Sequence, residues 1–314
     1  MSRRLGTAPP RVAGAPAEEV LRRLQVDITR RLDGMLHGEH EGLVPGRGSE
    51  PGEARAYVPG DDVRRIDWNV TARMPDIHVR ETVADRELAV WVLLDRSASL
   101  DFGTARCEKR DLALAATAAI GFITLRTGNR LGVLVAGADG VQILPPGTGR
   151  RHLMGTLHAA TQASGVSADG PVDLTAAIGS LARAGQRRRG LMVVVSDFLA
   201  PTGWERALRG LAHRHEVLAV EVVDPRELAL PDVGVIDLVD PETGAHREIQ
   251  TSPALRERYA AAAGRQREEI ARGLRQAGAD HLVLRTDRDW LLDIVRFVSR
   301  RKQRRRVAAG TAHR

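Results

Sequence analysis

A carboxylate and two hydroxyls stand at alternate positions in Asp95-Arg96-Ser97-Ala98-Ser99. Brought to one point, such oxygen-only donors suit a hard cation, Mg2+ or Mn2+. A second carboxylate stands in Ser196-Asp197-Phe198. Each group follows a short apolar run, Leu88 to Leu94 and Leu191 to Val195. Runs of that length and composition read as strands buried on both faces, as in a parallel sheet. The carboxyl ends of such strands are where open α/β sheets put their ligands. The plainer alternative is a polar turn in which Asp95 or a serine only caps the next helix.

The densest polar stretch lies upstream, in Arg55, Tyr57, Gly60, Asp61, Arg64, Asp67, Trp68 and Arg73. Pro59-Gly60 dictates a turn there. Arginines and aspartates beside two large aromatics suit a charge-paired network shielded by Tyr57 and Trp68, and bidentate pairs would fix its geometry. A catalytic role for Asp61 or Asp67 lacks an adjacent nucleophile or ligand pattern, so this stretch reads as structural bracing. His37 and His40 bracket a helix end with no third ligand nearby, and solvation explains them.

The elements that must position these groups alternate in type. A helix is predicted from Ala17 to Leu36, a loop rich in glycine and proline from Gly42 to Gly52, and a strand from His78 to Ala84. After Ser99 come a helix over 106–126, a hairpin of 131–136 with 141–144 around Asp139-Gly140, and helices over 149–162 and 173–184. The strand 191–195 precedes a helix over 202–213 and a strand over 217–223. An irregular stretch through Val239 and a hairpin around Glu242-Thr243-Gly244 follow. Ser252-Pro253 opens a long helix to Gly278, as serine cap and first-turn proline. A strand over 281–285 and a helix over 289–301 end the pattern. This alternation predicts a parallel-rich sheet with helices on both faces. The domain boundaries read as a disordered N-terminus over 1–16, a helix and motif extension over 17–85, the main domain over 86–299, and a basic tail over 300–314.

Composition narrows the function classes. The 314 residues carry a net charge of +7, and the tail from Arg300 holds seven basic residues and no acid, so the body balances. A neutral body with 3% aromatic residues lacks the basic face and stacking platforms of a nucleic-acid binder. No apolar run approaches the ~20 residues of a membrane-spanning helix. The N-terminal arginines precede no apolar segment, and Cys107 is the only cysteine, so no internal disulfide forms. Together these predict a cytoplasmic protein. No GKS or GKT loop, HExxH or GxSxG occurs.

The two carboxylate-ending strands, with DxSxS on the first, resemble a von Willebrand factor A domain. The stretch RxYxxGDDxRRxDWxxTAR, Arg55 to Arg73 here, is more specific. With Ser196-Asp197-Phe198 and Asp224-Pro225-Arg226-Glu227, it resembles the domain of unknown function 58 family, over roughly 34–297. The resemblance implies a Rossmann-like, doubly wound, mostly parallel sheet. It also implies a metal-ion-dependent adhesion site built from DxSxS, a second-loop threonine and a third-loop aspartate. Asp95, Ser97, Ser99 and Asp197 match that pattern. The family-like GTDLxxAL stands as Gly170 to Ile178, so Val172 occupies the threonine position, and Asp173 and Thr175 are the candidate substitutes. Leu100 replaces a usual methionine.

Family members are often encoded beside MoxR-type AAA+ ATPases, which implies a non-enzymatic, chaperone-like or assembly role with such a partner. On this reading Mg2+ or Mn2+ binds weakly alone and more tightly when an acidic residue of the partner completes its shell. The alternatives are a metal-dependent hydrolase using the same carboxylates, and binding of nucleic acid or an anionic surface through the tail Arg300 to Arg306.

Overall fold

The computed structural model describes residues 17–35, 54–58, 62–63, 66–80, 88–162, 172–186, 189–239 and 245–311, together with Pro9. Helix α1 (Ala17–Met35) presents Val20, Leu21, Leu24, Ile28 and Leu32 to the main core at helical spacing, and all five are buried. Its Arg31 grips both carboxylate oxygens of Asp289 at 2.6 Å, which ties this helix to the far end of the chain. The N-terminal helix is thereby part of the same core. The expectations for residues 1–16, for His37 and His40, and for the 42–52 loop fall outside the described residues.

A small two-stranded sheet follows, β1 (Ala54–Ala56) antiparallel to β2 (His78–Arg80), with the one-turn helix α2 (Trp68–Thr71) between them. The shielded charge network expected of this stretch needs correcting. Trp68 is 70% exposed and Arg73 is exposed, so neither covers anything. Asp67 is buried and caps α2, accepting the N–H groups of Asn69 and Val70 at 3.0 and 3.2 Å. Tyr57 is half-buried and donates its N–H to the carbonyl of Ile77 at 2.7 Å. Arg55 lies on β1, opposite Val79; Gly60, Asp61 and Arg64 lie outside the described residues.

Strand β3 (Ala89–Asp95) is the centre of the main sheet, flanked in parallel by β4 (Arg130–Gly137) and β6 (Leu191–Ser196). Its alternate residues serve two cores. Val90, Val92 and Leu94 face α1, α3 (Lys109–Arg126) and α8 (Trp290–Thr311), while Trp91 and Leu93 face α5 (Leu174–Ala184) and α6 (Trp204–Ala212). Gly132 on β4 makes room for the Trp91 ring, since a Cβ there would sit 2.5 Å from it. Strand β5 (Gly140–Gly147) returns antiparallel at one edge; its Pro145-Pro146 suits a position with no outer neighbour. Helix α4 (Gly149–Gln162) covers that end.

Beyond β6 lie β7 (Glu216–Val223) and β10 (Asp280–Arg285), both parallel, giving the spatial order β10-β7-β6-β3-β4-β5. Chain order runs outward in one direction from β3 and in the other from β6. The junction of β3 and β6 is therefore the switch point of a doubly wound sheet. This is the Rossmann-like, doubly wound, mostly parallel architecture that the sequence led us to expect.

Two differences from the sequence reading have physical causes, and one long helix opens as the sequence predicts. The irregular stretch includes a strand, β8 (Val235–Val239), paired antiparallel with β9 (His246–Gln250). This ribbon buries neither face, so no period-2 burial pattern marks it. Helix α7 (Pro253–Gln276) opens as expected, with Ser252 accepting the N–H of Leu255. Helix α8 runs past Arg301 to Thr311, and Arg301 is buried, pairing with Glu216 at 3.0 Å and Asp280 at 2.7 Å. The first part of the basic segment thus belongs to the fold.

Candidate functional site

Asp95 is the last residue of β3, and Ser196 is the last of the neighbouring strand β6. Parallel pairing brings their ends together, and the Ser196 hydroxyl donates to Asp95 Oδ2 at 2.6 Å. Asp95 Oδ1 accepts the N–H of Ser97 at 2.8 Å, which turns the chain into the short 3-10 turn Ala98–Leu100. Asp197 follows Ser196 and receives the Ser99 hydroxyl on Oδ2 at 2.8 Å, while the Ser97 and Ser99 hydroxyls lie 3.0 Å apart. All four residues picked out by spacing are therefore joined across the switch point. Asp95, Ser97 and Asp197 are buried, and Ser99 is half-buried.

The loop after β6 is held under backbone strain. Phe198 adopts φ 56°, a left-handed conformation unfavourable for a bulky side chain. It is retained because its N–H donates to Ser196 Oγ at 3.0 Å, Asp197 Oδ1 accepts the N–H of Leu199 at 3.1 Å, and its ring packs on Trp204 with centroids 5.2 Å apart.

Behind Asp197 lies a residue that spacing did not reveal. Lys109, the first residue of α3, is 0% exposed, and its Nζ lies 2.8 Å from Asp197 Oδ2 and 2.5 Å from Glu227 Oε1. Glu227 Oε2 accepts Arg267 Nη2 at 3.1 Å, Arg267 Nη1 reaches Glu221 Oε1 at 2.8 Å, and Glu221 Oε2 meets His281 Nε2 at 2.7 Å. Arg267 Nη1 also donates to the Asp197 carbonyl at 3.3 Å. The turn that delivers Lys109 is tight: a Cβ on Gly103 would lie 2.4 Å from the Cys107 carbonyl oxygen. Asp224, at the end of β7, clamps this turn by accepting Thr104 N–H and Oγ1 together with Thr286 Oγ1 from the end of β10.

Electrostatics follow from enclosure. Burial, with the charge of Asp197 adding to it, pushes the Asp95 carboxyl up to about 6 against hydrogen bonds that favour its ionised form. Burial alone would lower Lys109, but the charges of Asp197 and Glu227 outweigh it and hold the ammonium above its ordinary value. Burial would raise Asp224; the hydrogen bonds from Thr104, Thr286 and Arg226 prevail and hold it low.

A family model described as "Protein of unknown function DUF58" matches residues 53–269, from the small upstream sheet through the switch point to Arg267 and beyond. The chain belongs to this family. The DUF58 protein is 53% identical over 294 residues to uncharacterized proteins of Mycobacterium tuberculosis and Mycobacterium bovis, covering 94% of this chain and 91% of each relative. Among solved structures it is similar to an aerotolerance-related membrane protein from Bacteroides fragilis, at 15% identity and TM-score 0.46, over 68% of this chain and 99% of that one. It is likewise similar to BatB from Bacteroides thetaiotaomicron, at 15% identity and TM-score 0.44, over 69% and 99%. The SpRpn10 VWA domain matches at 14% identity and TM-score 0.39, over 66% and 93%.

The adhesion-site cation implied by the fold meets a mixed donor set in this DUF58 protein. Oxygen donors converge as a hard cation requires. However, Asp197 Oδ2 is already shared by the Ser99 hydroxyl and the Lys109 ammonium. Val172, at the threonine position, is buried in the apolar cluster with Leu93 and Phe198. Asp173 caps α5 by accepting the N–H of Ala176 at 2.9 Å, and Thr175 is exposed, with its hydroxyl beside Gly203. Neither substitute is engaged with the switch point. Among the described residues, no three His, Cys, Asp or Glu side chains form a metal-holding group. The residues present do not fit the divalent cation of a complete adhesion site.

Proposed function

We propose that this DUF58 protein is a non-enzymatic protein-interaction module that docks its partner on the carboxyl edge around Ser97 and Ser99. The observation carrying this reading is the hydrogen-bonded closure of the switch point, Asp95 with Ser196 and Ser99 with Asp197, with Ser99 reaching the surface beside it. Such a site is polar, cross-linked by hydrogen bonds and in reach of solvent at Ser99, as recognition requires. The partner is a MoxR-type AAA+ ATPase, as the family resemblance implies, and the role is chaperone-like assembly in the cytoplasm. No helix among the described residues is long and apolar enough to cross a membrane.

A second reading keeps Mg2+ or Mn2+ at Asp95, Ser97 and Ser99, and has an acidic residue of the partner complete its shell. The all-oxygen character of the donors favours it. The experiment is capture of the purified ATPase by the immobilised protein, with and without EDTA, using wild type and Ser99→Arg, which places a long cation on the edge. The docking reading expects capture by wild type and none by Ser99→Arg. Equal capture by both would place the interface elsewhere, and capture abolished by EDTA would select the second reading.

A further inference from the structure

We propose that the ammonium of Lys109 takes the place of the divalent cation at the switch point, so that the carboxyl edge is assembled, and receives its partner, without metal. This rests on the docking reading of the same edge, and it changes what the edge needs in order to work.

Two costs oppose a charge at Lys109, and both are borne. The side chain is entirely enclosed, and it opens α3, where the helix dipole is positive. A cation persists there only because two carboxylates from separate elements close on it, Asp197 after β6 and Glu227 after β7. In a chain whose 47 basic residues include only two lysines, Lys109 and Lys302, the interior cation is one of them. A compact ammonium is a point charge, closer in form to a monatomic ion than a planar guanidinium is.

The ammonium also occupies the coordination that a metal would need. Asp197 Oδ2, the oxygen facing Ser99, accepts Lys109 at the same 2.8 Å as it accepts Ser99. Both lone pairs of that oxygen are thereby used. A dication seated by Ser97, Ser99 and Asp197 would lie one carboxylate away from a positive charge, and at an effective dielectric of about 20 that repulsion is several times thermal energy. The charges behind the site do not relieve it, because Glu227 is itself divided between Lys109 and Arg267. Removing the ammonium reverses the situation: the enclosed Asp197 loses its counter-ion, and the half-buried Glu227 keeps only Arg267.

The test is titration of the full chain with Mn2+, followed by the loss of the free-ion paramagnetic signal. Wild type is expected to leave the signal undiminished, and Lys109→Met to bind one Mn2+ at least about a hundredfold more tightly than wild type. Adding Asp197→Asn to Lys109→Met should remove that gain. Two results would overturn the proposal: binding of Mn2+ by wild type that is lost in Ser99→Ala, or a folded Lys109→Met protein that gains no affinity. Should circular dichroism show Lys109→Met unfolded, Lys109→Gln replaces it, and the wild-type titration with Ser99→Ala decides independently. Failure of the partner to bind in any condition would count against the docking surface alone, since the Mn2+ titration needs no partner.

Discussion

Asp95 and Lys109 are both buried ionisable residues, and enclosure acts on them in opposite senses. The folded state holds the Asp95 carboxyl near 6, above its ordinary 3.8, so folding favours the protonated form. The stabilisation is fully present below pH 4 and is lost as pH rises through 6. Between pH 5 and 7.5, wild type in EDTA should lose about 1.5 kcal/mol of unfolding free energy relative to Asp95→Asn, measured by urea denaturation at each pH. Parallel pH profiles for the two proteins would show that the carboxyl titrates normally. For Lys109→Ala the expectation is a loss of about 3–5 kcal/mol, because Asp197 and Glu227 would keep their charges in an enclosed site without the ammonium. A urea midpoint close to that of wild type would mean that water enters freely and that the pair is not buried in solution.

At the scale of elements, the upstream motif holds its place through a cap. Asp67→Ala should destabilise by about 1 kcal/mol, with Asp67→Ser restoring most of it, because the carboxylate satisfies the first N–H groups of α2. Trp68→Ala should leave the melting temperature nearly unchanged, since the ring is largely in solvent. A larger loss for Trp68→Ala than for Asp67→Ala would restore the shielding role that the sequence suggested. The composition of this stretch misled because aromatics next to arginine and aspartate look the same whether they cover a network or face outward. The strands leading to Asp95 and Asp197 were legible because a strand buried on both faces must be continuously apolar, and the polar residues that end it stand out. Lys109 was not legible: one basic residue opening an apolar helix resembles an exposed first-turn residue, and only its rarity in an arginine-rich chain marks it. Glu227 and Arg267 are brought to it from 118 and 158 residues away in sequence, a pairing that no local spacing records.

At the scale of the whole molecule, the N-terminal helix and the sheet share one core. Leu24 and Ile28 of α1 are buried against the same cluster as Val92 of β3 and Ile294 of α8. Leu24→Ala should therefore destabilise the entire fold by about 2–5 kcal/mol in a single transition. Two resolved transitions by calorimetry would instead make α1 an independent unit. The doubly wound topology brings the ends of β3, β6, β7 and β10 to one edge, and the charge chain from Asp197 through Lys109, Glu227 and Arg267 starts there and runs back to Glu221 on β7 and His281 near the start of β10. Such a chain rigidifies the loops that a partner would meet, which lowers the ordering entropy of docking.

If the carboxyl edge docks its proposed partner with Lys109 as resident cation, that binding is independent of divalent metal. The most direct measurement is calorimetric titration of the full chain with the purified MoxR-type ATPase in EDTA, repeated in Mg2+. The same affinity is expected in both buffers, with its loss in Ser99→Arg. Binding that appears only in Mg2+, or that survives Ser99→Arg unchanged, would contradict it.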